Sequence, residues 1–128
     1  MAEAVFNDIA KKNDLDAVAN SAGLYTEDGL DYSPNSVEAL KEAGILLDGK
    51  SKQLDTKMLE QADYIFGLTY SLGTAVCSEF PEYAQKVYRF PTEVSDPFGA
   101  DLGMYKVSLA KIREGVEKII NAIKSGEI

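Results

Sequence analysis

Few side chains in this 128-residue sequence could act on a substrate. It has one thiol, Cys77, and no histidine, so neither an internal disulfide nor the usual His/Cys zinc site can form. No structural metal and no cofactor are therefore expected. Cys77 falls inside a stretch that reads as helix, with Glu79 and Glu82 close by in sequence, surroundings that disfavour a thiolate. It reads as a small, partly buried core residue. The other candidate is Asp96-Pro97-Phe98-Gly99. By residue type alone this is a turn, and its carboxyl could move protons only if burial or nearby negative charge lifted its pKa toward working pH.

Composition narrows the setting. At 45% hydrophobic and 27% charged residues, the chain suits one domain over residues 1–128 with a real core. No apolar run is long enough to span a bilayer, and Met1-Ala2-Glu3-Ala4-Val5-Phe6-Asn7-Asp8 has neither a basic start nor an apolar signal core. A cytoplasmic protein without membrane attachment is the expectation. Thirteen Lys and Arg against twenty-one Asp and Glu leave a net charge of −8, which argues against nucleic-acid partners. That balance does not exclude a phosphate site, because backbone N–H groups at a helix start can hold an anion in an acidic protein. Oligomeric state is left open.

The elements that must carry these residues can be read from periodicity. Ala2, Val5, Phe6 and Ile9 recur at helical spacing from the first residue, with no capping side chain of their own. Ala17-Val18-Ala19-Asn20-Ser21 reads as a short strand and Ala22-Gly23 as its exit into a polar loop. Ser33-Pro34 caps and starts a second helix, with Val37 and Leu40 as its buried stripe and Gly44 as its stop. Asp55 caps a short helix containing Met58 and Leu59. Tyr64 to Thr69 reads as a mostly buried strand of the parallel type. Ser71 is expected to cap a helix through Leu72, Ala75, Val76 and Phe80, and Val87 to Phe90 to form a third strand. The clearest element is last: Tyr105, Leu109, Ile112, Val116, Ile119 and Ile123 alternate steps of four and three up to Gly126. Alternating strands and helices predict an α/β, three-layer domain with a short parallel sheet flanked by helices. The order nevertheless opens on a helix, with no strand ahead of it to feed a phosphate-binding turn.

Taken in order, several segments resemble the low-molecular-weight protein-tyrosine phosphatase family over essentially the whole chain. They are Met1 to Phe6, Ser21-Ala22-Gly23, Val37 to Leu40 with Gly44-Ile45, Gln53-Leu54, Ala62 to Ile65, Phe80-Pro81 and Asp96 to Gly99. The resemblance implies a four-strand sheet in which the first and central strand is missing here. It also implies that Met-Ala-Glu-Ala follows a loop of the form Cys, five residues, Arg, which supplies the nucleophile and the phosphate clamp. No such loop is present, so the expectation is an N-terminally truncated domain that is itself inactive. Cys77 is no substitute, since five residues on stands Tyr83 and not arginine.

By the same resemblance Asp96 becomes the general acid, which protonates the leaving oxygen and then helps activate water. Leu24, Tyr25 and Phe98 become walls of the substrate slot, suited to a planar phosphoaryl or phosphoguanidinium group. Ser21 matches a serine that braces the phosphate loop from behind; on its own it reads as a strand-end serine bonding local backbone. Two departures weaken the match locally. The loop at Asp48-Gly49-Lys50 lacks the histidine that relatives often carry, and Thr69 or Tyr70 stands where many have an acidic residue.

The implied parent activity is hydrolysis of phosphotyrosine or phosphoarginine in a phosphorylated protein substrate through a phosphocysteine. The alternative is a non-catalytic, phosphatase-like binding protein whose missing strand another chain fills. Arsenate reduction on the same fold is disfavoured, because it needs further cysteines.

Overall fold

The structure is a computed structural model and describes every residue except Tyr25, Asp48, Asp96 and Phe98. Its elements run α1 (Ala2–Lys12), α2 (Pro34–Glu42), α3 (Thr56–Gln61), β1 (Ile65–Gly67), α4 (Tyr70–Glu79), a 3-10 turn (Pro81–Lys86), β2 (Val87–Arg89) and α5 (Leu102–Ser125). The result is α/β, with a short parallel two-strand sheet flanked by helices. Ile65 pairs with Val87, Phe66 with Tyr88 and Gly67 with Arg89.

The core is built on α5. Tyr105, Leu109, Ile112, Val116, Ile119 and Ile120 form a buried stripe, and α1 and α2 pack against this helix through Val5, Ala10, Ala39 and Leu40. Asp101 caps α5 by accepting from the N–H of Met104 (3.0 Å), and Gly126 ends it in the left-handed region at φ 78°. Capping chemistry is as expected at α2, where Ser33 accepts from Ser36 N–H (3.2 Å), and at α3, where Asp55 accepts from Met58 N–H (2.9 Å).

Local expectations fail in four places. α4 begins two residues early, because Thr69 and not Ser71 takes the capping role, accepting from Leu72 N–H (3.1 Å). Leu72 in α4 and, separately, Val37 in α2 are 40% and 39% exposed instead of buried, while Val76 and Ala39 occupy the packed faces. The 3-10 turn after Pro81 has no periodic signature and was not anticipated. Finally, among the described residues the 17–21 segment pairs with no strand, and beyond it Gly23 makes an isolated parallel bridge to Gln53.

The sheet lies between two layers. Phe66 and Leu68 pack toward the α5 core. The opposite face of β1 meets α4 so closely that a Cβ on Gly67 would lie 2.6 Å from Gly73 N and 2.8 Å from Gly73 Cα. Main chain on main chain leaves nothing flexible to yield. Even so, all three β1 residues are only partly buried. The total accessible surface, 7981 Å², exceeds the roughly 6,700 Å² that a folded monomer of 13.9 kDa ordinarily shows.

Gly67→Ala is accordingly expected to destabilise the fold by about 1–3 kcal/mol, as overpacking does. Gly73→Ala, whose added Cβ would meet only Val87 Cγ1 at 3.9 Å, should be neutral or stabilising by up to about 1 kcal/mol through helix propensity. Urea unfolding of both variants checks this, and equal midpoints would contradict the close approach.

Candidate active site

The residues singled out for function lie on irregular backbone, so the question is what holds that backbone. Around Ser21 the answer is α1. Glu3 accepts from the N–H of Ser21 (2.7 Å) and from its hydroxyl (3.2 Å). One turn later Asn7 accepts from Ala19 N–H (2.8 Å) and donates to Ala19 C=O (3.1 Å). The match is geometric: four residues of helix rise about 6 Å, and two residues of extended chain advance about 6.6 Å. Side chains at i and i+4 of α1 can therefore bond alternate residues of an extended segment. Asn7 does with its carboxamide what a neighbouring strand would do with one residue's N–H and C=O.

The loop that follows is stitched to residues 51–54. Gly23 N–H donates to Lys52 C=O (2.9 Å), and Gly23 C=O accepts from Leu54 N–H (2.8 Å). The Gln53 carboxamide grips both sides of position 25, accepting from Thr26 N–H (2.8 Å) and donating to Leu24 C=O (2.6 Å). Asp28 accepts from Gln53 N–H (2.8 Å), while Ser51 Oγ donates to Glu27 C=O (2.6 Å) and accepts from Leu30 N–H (3.0 Å). Leu24 is thus fixed and half-buried. Tyr25, Asp96 and Phe98 lie outside the described residues, and so does Asp48 of the histidine-free loop.

The chain on either side of Asp96 and Phe98 is anchored. Val94 is buried, with its N–H on Leu68 C=O (3.0 Å). Pro97 C=O accepts from Ala100 N–H (2.8 Å), and Ala100 C=O accepts from the Asn35 carboxamide (3.1 Å). Near the start of α4, Glu93 accepts from Tyr70 N–H (3.3 Å), and the Arg89 guanidinium lies over the Tyr70 ring at 5.8 Å. A carboxylate is favourable there because the first amides of a helix carry partial positive charge. Thr69, which departs from the acidic residue expected nearby, serves as the α4 cap.

Tyr32 was not anticipated. Its hydroxyl donates to Lys50 C=O (3.2 Å), and Asp31 and Lys50 form an exposed ion pair beside it. Burial pushes the Tyr32 phenol above its ordinary pKa; the negative charge of Glu3 adds to this, and a hydrogen bond with Ser21 opposes it. Glu3, Ser21 and Tyr32 therefore form one electrostatic group. Sequence reasoning placed Glu3 and Gln53 only inside matching segments and passed over Asn7, because a helix gives no sign of which polar residue will reach a loop. Cys77 stands elsewhere, half-buried in α4 along a shallow groove with Thr69, Tyr70, Thr74, Val87 and Tyr88. None of Ser21, Leu24 or Glu3 lines that groove. Among the described residues no cluster of His, Cys, Asp or Glu could hold a metal ion, and no helix is long and apolar enough to cross a membrane.

Comparison with known proteins agrees with this architecture. A family model described as low molecular weight phosphotyrosine protein phosphatase matches residues 1–127. The chain is 30% identical to a protein-arginine-phosphatase of Bacillus subtilis over 97% of its own length and 87% of the relative's. It is 27% identical to the low molecular weight protein-tyrosine-phosphatase PtpB of Staphylococcus haemolyticus, covering 81% of this chain and 78% of that one. Among solved structures, the YwlE mutant from Bacillus subtilis superposes with a TM-score of 0.92 at 29% identity, covering 96% of this chain and 88% of that one. A low molecular weight protein tyrosine phosphatase from T. tengcongensis gives a TM-score of 0.88 at 32% identity, covering 94% and 87%.

Two measurements probe the site's framework. Asn7→Ala removes both bonds to Ala19 and should cost on the order of 1–2 kcal/mol, seen as an earlier urea midpoint; an unchanged midpoint would show that the segment is held otherwise. Because folding raises the Tyr32 pKa, its contribution to stability is complete below the unfolded value of about 10 and is lost as pH climbs through the folded value. Between pH 9 and pH 11 the parent chain should lose more thermal stability than Tyr32→Phe. Equal losses would remove Tyr32 from the account.

Proposed function

This chain belongs to the low molecular weight phosphotyrosine protein phosphatase family, and we propose that its residues serve a protein phosphatase acting on phosphotyrosine or phosphoarginine through a phosphocysteine. The observation that carries this reading is the 30% identity to a protein-arginine-phosphatase, spread over nearly the whole chain. In the proposed mechanism Asp96 protonates the leaving oxygen or nitrogen and then takes a proton from the water that hydrolyses the phosphocysteine. Leu24, Tyr25 and Phe98 form the walls that receive the planar aryl or guanidinium group. Ser21, tied to α1 through Glu3, braces the phosphate loop.

Support for these roles comes from what surrounds them. Gln53 holds the main chain at Leu24 and Thr26, on either side of Tyr25. The acid segment is fastened at Val94 before it and at Pro97 and Ala100 around and after it. A proton donor must stay within hydrogen-bond reach of the leaving atom, so a segment secured at both ends is a fitting carrier for it. The nucleophile is a separate matter. These 128 residues contain no cysteine followed six positions later by arginine, and we infer that by themselves they do not turn over phosphate esters.

Para-nitrophenyl phosphate assays of the purified 128-residue chain should therefore read the uncatalysed rate, with Cys77→Ser indistinguishable from the parent. Radiolabelled phosphate trapped covalently on Cys77 would refute this. Where the reading frame ahead of Met1 encodes Cys-x5-Arg, the longer product should hydrolyse phosphoarginine or phosphotyrosine peptides. Asp96→Ala in that product should then slow turnover by about 10²–10⁴-fold; an unchanged rate would take Asp96 out of the mechanism.

A further inference from the structure

Asn35 is the second residue of α2, and the helix has no need of its side chain. Ser33 already supplies the cap, and asparagine is a weaker helix former than alanine. Its carboxamide nitrogen instead donates to Ala100 C=O (3.1 Å), in a partly buried bond between residues 65 apart in sequence. The other main-chain group of Ala100 is taken as well, because its N–H donates to Pro97 C=O (2.8 Å). That bond closes a four-residue turn with Gly99 in its third position at φ 81°, where glycine meets no strain. Phe98 is the remaining residue between Pro97 and Ala100. One main-chain bond leaves a turn free to open, and many turns lack even that one. A second bond at the same residue, from a helix packed on α5, fixes where the turn lies.

We propose that Asn35 is a positioning residue for the substrate slot: through Ala100 it fixes the turn that carries Phe98, and so sets how well a planar aryl or guanidinium group is held. This rests on the reading of Phe98 as a wall of that slot. The effect falls on binding more than on proton transfer. Asp96 precedes the turn, and the entry to its segment is held separately, by Val94 N–H on Leu68 C=O (3.0 Å) and by the Thr92 hydroxyl on Lys111 C=O (2.7 Å). Misplacing a wall weakens the hold on substrate, whereas misplacing the acid slows the chemical step.

Asn35→Asp separates this role from a structural one. The two side chains are nearly equal in size, but an ionised carboxylate has no hydrogen to give a carbonyl. In the first turn of α2, which holds no acidic residue, its charge favours the helix. The urea midpoint of the 128-residue chain should therefore stay in place or move later. Hydrogen exchange at the Ala100 amide, followed by NMR, should become about tenfold faster while the Val94 amide keeps its rate. An Ala100 amide as slow as in the parent, or equal quickening of both amides, would overturn the proposal. In the longer product encoding Cys-x5-Arg ahead of Met1, Asn35→Asp should raise KM for phenyl phosphate by about three- to tenfold with kcat little changed, and should add nothing in a Phe98→Ala background. An unchanged KM in Asn35→Asp, where Phe98→Ala raises it, would remove the positioning role alone. A KM untouched by Phe98→Ala would instead sink the wall reading, and this inference with it.

Discussion

Everything described depends on the apolar stripe of α5. Tyr105, Leu109, Ile112, Val116, Ile119 and Ile120 lie along one side of a 24-residue helix that holds more buried residues than any other described element. α1 and α2 dock on that helix, and Phe66 and Leu68 pack into the same cluster. Without it the short sheet, two strands of three residues each, would have too little buried area to stand. Gly115 shows how close the packing is. A Cβ there would collide with the Phe90 ring and lie 2.8 Å from Thr92 Oγ1, where the chain leaves β2.

From that support the site is assembled by side chains bonding to main chain. Glu3 and Asn7 take the backbone of Ser21 and Ala19, Gln53 takes that of Leu24 and Thr26, and Asn35 takes that of Ala100. Each bond contributes only about 0.5–1.5 kcal/mol net. Together they give irregular segments the fixed positions that strands and helices obtain from their own ladders. Such segments can then present functional groups while the rigid parts of the fold remain unstrained. The exposed ion pairs, Lys12 with Asp8 and Lys106 with Glu42 among them, add little by comparison, since solvent screens them.

The sheet is where demand and supply differ. β1 has the composition of a strand covered on both faces and paired on both edges, and among the described residues its one strand neighbour is β2. Ala17–Ser21 meets the same shortage differently. Its main-chain groups turn to α1, while Val18 is left 79% exposed. Backbone donors and acceptors must find partners in one form or another, and the two segments show two outcomes of that requirement in one molecule.

Periodicity and capping chemistry made the helices legible from the residues alone. The stripe of α5, Ser33-Pro34 at α2, Asp55 at α3 and Gly126 at the last C-terminus are local signals, and local sterics and hydrogen bonding decide them. The ordered segments that resemble known phosphatases were legible too, because they are a property of the sequence itself. Tertiary structure decided what local signals cannot carry. Thr69 and not Ser71 caps α4, where Glu93 and Arg89 also meet Tyr70 at the helix start. Ala17–Ser21 became extended chain without a ladder, because a strand exists only where a partner strand lies beside it. Asn7, Gln53 and Tyr32 acquired their roles through contacts 12 to 29 residues away in sequence, distances over which side-chain type gives no direction.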